Sequence, residues 1–231
     1  MRNTLSYFNP ATVGCLLSTF DGRMPSPLIK VCGMREPVNL SEIEMLDVDF
    51  LGFIFYSQSL RYVPENHKYV DAVRRCKKTK IGVFVDESVD KILAKAKLFQ
   101  LNGLQLHGSE TVAMCRKLRQ HGYFVIKTFP VATTTDFQQT ERYINVCDFF
   151  LFDTKCTGYG GSGTRFDWSL LKFYQGETPF LLSGGLTPDC ADDIKQLIHL
   201  QFVGIDLNSG FETSPAMKDV VRLKDFIHEI R

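Results

Sequence analysis

The stretch Lys80-Ile81-Gly82-Val83-Phe84-Val85, the segment 88–100 and the stretch Gly103-Leu104-Gln105-Leu106-His107 decide the fold of this chain. The first and last are short apolar runs, the pattern of strands buried on both faces. Between them Val89, Ile92, Leu93, Ala96 and Phe99 recur at helical spacing and form one apolar stripe. Strand, helix, strand in that order is a crossover unit, and crossovers join parallel strands.

The same alternation runs outward in both directions. Strands are predicted over residues 28–32, 50–55, 80–85, 103–107, 123–129, 148–153, 180–183 and 202–206. A helix over 110–121 ends at Gly122, a C-terminal capping residue, and Thr187-Pro188-Asp189 starts another with a hydroxyl cap, a first-turn proline and a first-turn acid. Eight strands, each followed by a helix, close into a (β/α)8 TIM barrel, because right-handed crossovers then bury both faces of every strand. A flavodoxin-like or Rossmann sheet is the competitor, but Cys32-Gly33-Met34-Arg35-Glu36 follows the first strand where a G-x-G-x-x-G would stand. The expected fold class is therefore α/β. A single barrel domain spans 28–231, after a loosely ordered N-terminal extension, 1–27, that lacks the features of a signal peptide.

Lys and Arg total 27 against 26 Asp and Glu, so no global field draws the chain to nucleic acid or an anionic membrane. No apolar stretch approaches the ~20 residues of a membrane span. The basic run Arg74-Arg75-Cys76-Lys77-Lys78-Thr79-Lys80 falls where a helix ends, a place that favours cations. Seven scattered cysteines, without C-x-x-C or histidines at metal spacing, point to reduced thiols and a cytoplasmic location, with no metal. The expected partner is a small molecule.

In a barrel the carboxyl ends of the strands line one mouth. Those ends carry Cys32, Arg61 in the loop after the second strand, His107, Lys127, Asp153, Ser183-Gly184-Gly185 and Asp206-Leu207-Asn208-Ser209-Gly210. A cysteine at such an end is either a buried small hydrophobe or a thiol serving as base or nucleophile. A strand-end histidine is more often a satisfied structural residue than a catalyst. The glycine-bearing loops after strands seven and eight stand where barrels hold phosphate on backbone N–H groups; taken singly, each is also an ordinary turn. A third cluster, Gly158-Tyr159-Gly160-Gly161-Ser162-Gly163, suits either a loop that closes over a substrate or a plain surface connection.

Taken together the residues resemble phosphoribosylanthranilate isomerase, a barrel of tryptophan biosynthesis that performs an Amadori rearrangement. The likeness rests on Ile29-Lys30-Val31-Cys32-Gly33, Gly52-Phe53-Ile54-Phe55-Tyr56 with Arg61-Tyr62-Val63, Gly82-Val83-Phe84-Val85 and Gln105-Leu106-His107-Gly108. It continues through Asp153-Thr154, Gly160-Gly161-Ser162-Gly163 with Phe166-Asp167-Trp168, Leu182-Ser183-Gly184-Gly185-Leu186, and Asn208-Ser209-Gly210 with Glu212 and Lys218-Asp219. The chain departs from the pattern at Ser57-Gln58-Ser59-Leu60, where the family commonly has prolines and a lysine, and at Ala216, where it commonly has glycine.

The resemblance implies conversion of N-(5-phosphoribosyl)anthranilate to 1-(2-carboxyphenylamino)-1-deoxyribulose 5-phosphate, without a cofactor, by a monomer or homodimer. It implies Cys32 as general base and Asp153 as general acid, with Arg61 holding the anthranilate carboxylate as a guanidinium fork does. His107, Gly160, Gly161, Ser183, Gly184, Gly185, Asn208, Ser209 and Gly210 would complete the substrate site. The two catalytic groups need opposite protonation states, so Lys30 or the phosphate-site dipoles should stabilise a Cys32 thiolate, and partial burial or proton gain from the bound substrate complex should protonate Asp153. Three rivals remain. They are the histidine-pathway isomerase, which has aspartate where Cys32 stands, a Schiff-base aldolase using Lys127, and a non-catalytic phosphosugar-binding barrel.

Overall fold

Each apolar run forms a strand: β1 (Leu28–Val31), β2 (Phe50–Ile54), β3 (Thr79–Phe84), β4 (Gly103–Leu106), β5 (Phe124–Val131), β6 (Phe149–Thr154), β7 (Phe180–Leu182) and β8 (Phe202–Leu207). The computed structural model describes residues 26–154 and 165–231. The strands pair in sequence order into a closed barrel, and β8 returns to β1 in parallel, with Leu28 opposite Gly204 and Lys30 opposite Asp206. The predicted strands match these within two residues at either end.

Outside the barrel run α1 (Pro37–Ile43), α2 (His67–Arg75), α3 (Val89–Phe99), α4 (Val112–Gln120), α5 (Ala191–Gln196) and α6 (Val220–Ile230). Side-chain oxygens of Asn66, Ser88, Thr111 and Asp219 cap the first turns of α2, α3, α4 and α6. Two expected helices are instead 3₁₀ segments, Thr134–Tyr143 after β5 and Trp168–Phe173 before β7. In the first, consecutive threonines disfavour the α-helix, and the Asp136 carboxylate accepts the N–H groups of Ala132 and Thr133 at 2.9 and 2.8 Å, fixing a tight turn. The start at Thr187 lies where the sequence puts it, but as a 3₁₀ turn, Pro188–Cys190, leading into α5. There the Thr187 N–H donates to Cys190 Sγ at 3.3 Å.

The strand period of two sorts the core into layers. Inside the barrel, Phe50, Ile81, Ile126, Phe149, Leu151 and Leu181 pack into one cluster that fills its lower part. The next inward positions up the strands are Val83, Asp153 and Ser183, so this cluster is the floor on which the polar mouth stands. Outward strand residues pack under the helices, among them Phe84, Phe150 and Phe152, where helix residues such as Phe99 of α3 meet them. Lys127 corrects the expected mouth: Ile126 occupies the inward position of β5, which turns Lys127 outward. Its ammonium is buried and donates to the carbonyls of Leu106, Gly108 and Thr128 at 3.1, 2.7 and 3.0 Å and to Glu110 Oε2 at 3.1 Å.

The described cysteines, Cys32, Cys76, Cys115, Cys147 and Cys190, are free and buried. Among the described residues no helix is long and apolar enough to cross a membrane. Most of the predicted extension and the cluster 158–163, with Gly160 and Gly161, lie outside the described residues.

Candidate active site

At the carboxyl mouth a cleft is lined by Cys32, Arg61, His107 and Asp153 together with Ser183, Gly184, Gly185, Asn208 and Ser209. Nine predicted residues, from the ends or following loops of β1, β2, β4, β6, β7 and β8, thus face one space, a concave site with a few convergent polar groups. Gly210 does not line it: a Cβ there would run into the carbonyl of Leu186, so this glycine permits a close approach of the loops after β7 and β8.

Cys32 follows β1 directly, its N–H donating to the Leu207 carbonyl of β8 at 2.8 Å. Beside it Gly52 leaves the space that the site uses: a Cβ there would lie 2.8 Å from Cys32 Sγ and 3.1 Å from Lys30 Nζ. Burial pushes the Cys32 thiol above its ordinary value of 9.0; the ammonium groups of Lys30 and Lys218 oppose the rise and Asp206 adds to it. The thiolate expected from the sequence is therefore not the resting form. Lys30 is shared between the sulfur and Asp206, its Nζ donating to Asp206 Oδ1 and Oδ2 at 2.8 and 2.9 Å, and its pull on the thiol does not offset the burial.

Asp153 stands across the cleft, about three-quarters buried. Its Oδ1 accepts the Thr154 N–H at 2.8 Å, and its Oδ2 lies 3.5 Å from His107 Nε2. Gly184, at φ +88°, passes over this carboxyl; a Cβ there would be 2.6 Å from Oδ1. A side chain at 184 would thus both strain the backbone and displace the acid.

Arg61 faces the cleft with one edge already occupied. Its Nε donates to Glu212 at 2.9 and 3.0 Å and its Nη2 at 2.6 Å. Glu212 also accepts Lys218 Nζ at 2.7 Å, and Lys218 reaches Asn208 Oδ1 at 2.8 Å. Burial raises the Glu212 carboxyl, but Arg61 and Lys218 outweigh it and hold it below its ordinary 4.5. Two cations around one carboxylate leave a positive excess at this side of the mouth. Ala216 donates its N–H to the same carboxylate at 3.1 Å, from a backbone with φ +67°, the conformation that makes glycine common at that position.

The sequence reading placed Asp206 at the mouth without giving it a role, and missed Tyr56, Ser59 and Gln105 as cleft residues. Asp206 was legible as a strand-end acid; Gln105, a polar residue at an inward position of β4, is marked by strand alternation alone. Among the described residues no cluster of His, Cys, Asp and Glu could hold a metal ion.

Groups of this chemistry at the carboxyl mouth of a closed eight-stranded barrel put the chain among the (β/α)8-barrel enzymes. Within that class it is an isomerase and belongs to the N-(5'-phosphoribosyl)anthranilate isomerase family, which it matches over residues 29–229. Relatives bearing that name in Parabacteroides distasonis and Phocaeicola vulgatus are 50% and 52% identical, each over 88% of this chain and over 93% and 98% of their own lengths. The crystal structure of phosphoribosyl anthranilate isomerase from Thermotoga maritima is similar with a TM-score of 0.75 at 32% identity, covering 88% of this chain and 98% of that one. Another structure of such an isomerase, in complex with reduced 1-(o-carboxyphenylamino)-1-deoxyribulose 5-phosphate, is similar at 29% identity with a TM-score of 0.72, covering 88% and 98%.

Proposed function

We propose that this enzyme catalyses the Amadori rearrangement of N-(5'-phosphoribosyl)anthranilate in tryptophan biosynthesis, with Asp153 as general acid and Cys32 as general base. The observation that carries the reading is that both groups face one cleft beside two loops suited to phosphate. Gly184 and Gly185 both line the cleft with left-handed backbones, which glycine takes without strain and which leave no Cβ between their amides and a ligand, and Ser209 lines it from the loop after β8.

Asp153 protonates the ribose ring oxygen, the bond from that oxygen to C1′ breaks, and an open-chain Schiff base forms. The Cys32 thiolate then removes the C2′ proton, leaving an enolamine that becomes the ketone. The resting thiol fits this order: the positive charge of the Schiff base, arriving next to the sulfur, drives the thiol proton out to solvent water through the open mouth, and the thiolate so formed takes the C2′ proton. Each positioned acid or base is worth about 10²- to 10⁴-fold. Arg61 meets the anthranilate carboxylate with the edge that Glu212 leaves free. His107 is a support of the acid. The domain reading stands as proposed, a catalytic barrel after an N-terminal extension.

The loops after β3 and β4 support a substrate with one phosphate. The Glu110 carboxylate already accepts the N–H groups of Asp86 at 3.0 Å and Gly108 at 3.1 and 3.0 Å, so these amides carry an anion of the protein's own. A histidine-pathway substrate, with a phosphate at either end, finds no second cradle there. The test is the fluorescence decay of freshly made N-(5'-phosphoribosyl)anthranilate, run beside the histidine-pathway substrate. Acceleration of the first alone is expected, and decay at the spontaneous rate would overturn the proposal.

A further inference from the structure

Gln105 lies inside the barrel on β4 and is 1% exposed. A buried amide needs partners for both its donor and its acceptor, and one left without a partner is costly. The Gln105 Nε2 lies 3.1 Å from His107 Nδ1, two residues along on the same face of the strand. Its Oε1 is shut off from solvent and has no hydrogen-bond partner among the described residues. A half-satisfied amide in a barrel interior points to the half that is satisfied. An imidazole nitrogen that receives an amide N–H is an acceptor, which leaves the ring proton on Nε2. That nitrogen is the one 3.5 Å from Asp153 Oδ2.

We propose that Gln105 is a positioning residue for the acid: by donating to His107 Nδ1 it fixes the tautomer whose Nε2–H points at Asp153. The proposal rests on the assignment of Asp153 as the acid. When Asp153 gives its proton to the ring oxygen, the O–H electron pair stays on the carboxylate and the C1′–O pair goes to the ring oxygen. The Thr154 N–H already donates to Oδ1 at 2.8 Å, and the His107 Nε2–H, 3.5 Å from Oδ2 and short of a hydrogen bond at rest, closes on the new charge there. With the tautomer reversed, His107 would present a lone pair to that charge. Donors aimed at charge that develops during reaction, in a site screened from water, bear directly on rate.

The test is nitrogen NMR of protein labelled in its five histidines, with the His107 signals identified by their loss in His107→Gln. Asp153→Ala removes the carboxylate's own pull on Nε2–H, so a preference that survives there comes from Gln105. The Nε2–H tautomer is expected in the wild type and in Asp153→Ala, and its loss in Asp153→Ala combined with Gln105→Met. Gln105→Met alone should lower kcat about tenfold while KM changes by less than about twofold, a split that general loosening of the barrel would not give. The Nδ1–H tautomer in the wild type, equal tautomer ratios with and without Gln105 in the Asp153→Ala background, or wild-type kcat in Gln105→Met would overturn the proposal. A fully active Asp153→Asn would overturn the acid assignment and this proposal with it, whereas the wrong tautomer overturns this proposal alone.

Discussion

Lys30 on β1 and Asp206 on β8 are register partners across the seam that closes the barrel, and they form an ion pair at 2.8 Å with side chains 0% and 5% exposed. Burial pulls the Lys30 ammonium down, but the Asp206 carboxylate and the Cys32 sulfur together outweigh it and the net displacement is upward. The cation beside the proposed base is therefore shared with Asp206, burial prevails at the sulfur, and Cys32 keeps its proton until a substrate charge arrives.

Breaking this pair from one side leaves a buried charge alone. Lys30→Met should destabilise the protein by about 3–5 kcal/mol, whereas Lys30→Met combined with Asp206→Leu should recover most of that loss. Chemical denaturation of both variants checks this. The double variant folds but has no cation beside Cys32 except Lys218, so its kcat should stay low; wild-type kcat would separate the pair from catalysis.

The pH dependence follows from the direction at Cys32. A base whose thiol lies above 9.0 is mostly protonated in the free enzyme at neutral pH, so kcat/KM should climb as pH rises through neutrality toward that value. Alkylation of Cys32 should follow the same curve. Asp206→Asn removes a neighbouring negative charge and releases Lys30 toward the sulfur, and both curves should move to lower pH.

Glu212 gives the opposite sign. Its folded value lies below 4.5, so its contribution is fully present above the ordinary carboxylate range and is lost as pH falls through the folded value. Glu212→Gln should cost about 1.5–3 kcal/mol at neutral pH and flatten the acid side of the stability curve, as read by thermal melts from neutral to acid pH. Arg61→Ala should raise KM with little change in kcat; an unchanged KM would remove Arg61 from the carboxylate.

Lys127 is enclosed by three carbonyls and a carboxylate on the outer side of β5. Borohydride treatment with a sugar phosphate should trap no adduct on it. Lys127→Met should lower stability by about 3–5 kcal/mol, since Glu110 is left buried without its cation. A trapped adduct would restore the aldolase reading.

What the sequence shows and what it hides follow from distance along the chain. Strand ends were legible because each apolar run stops at a polar or glycine residue, and Cys32, Asp153 and Ser183 were legible because they stand there. Lys127 was read at the mouth too, but it lies in the middle of β5, and one residue of register decides between the barrel interior and the outer face, a choice made by packing around Ile126. The expected fork of Arg61 and the expected thiolate of Cys32 both missed a partner far away. Glu212 is 151 positions from Arg61 and Asp206 is 176 from Lys30, and only barrel closure brings them together. The 3₁₀ segment after β5 was hidden for a local reason, the competition of Asp136 for backbone N–H groups.

The central claim is that Cys32 and Asp153 divide the work of base and acid in one cleft. The most direct measurement is the decay of N-(5'-phosphoribosyl)anthranilate fluorescence with wild type, Cys32→Ala and Asp153→Asn at equal concentration, after circular dichroism has shown all three folded. The account predicts rapid decay with the wild type and a loss of about 10²-fold or more in each variant. Wild-type decay with either variant would contradict it.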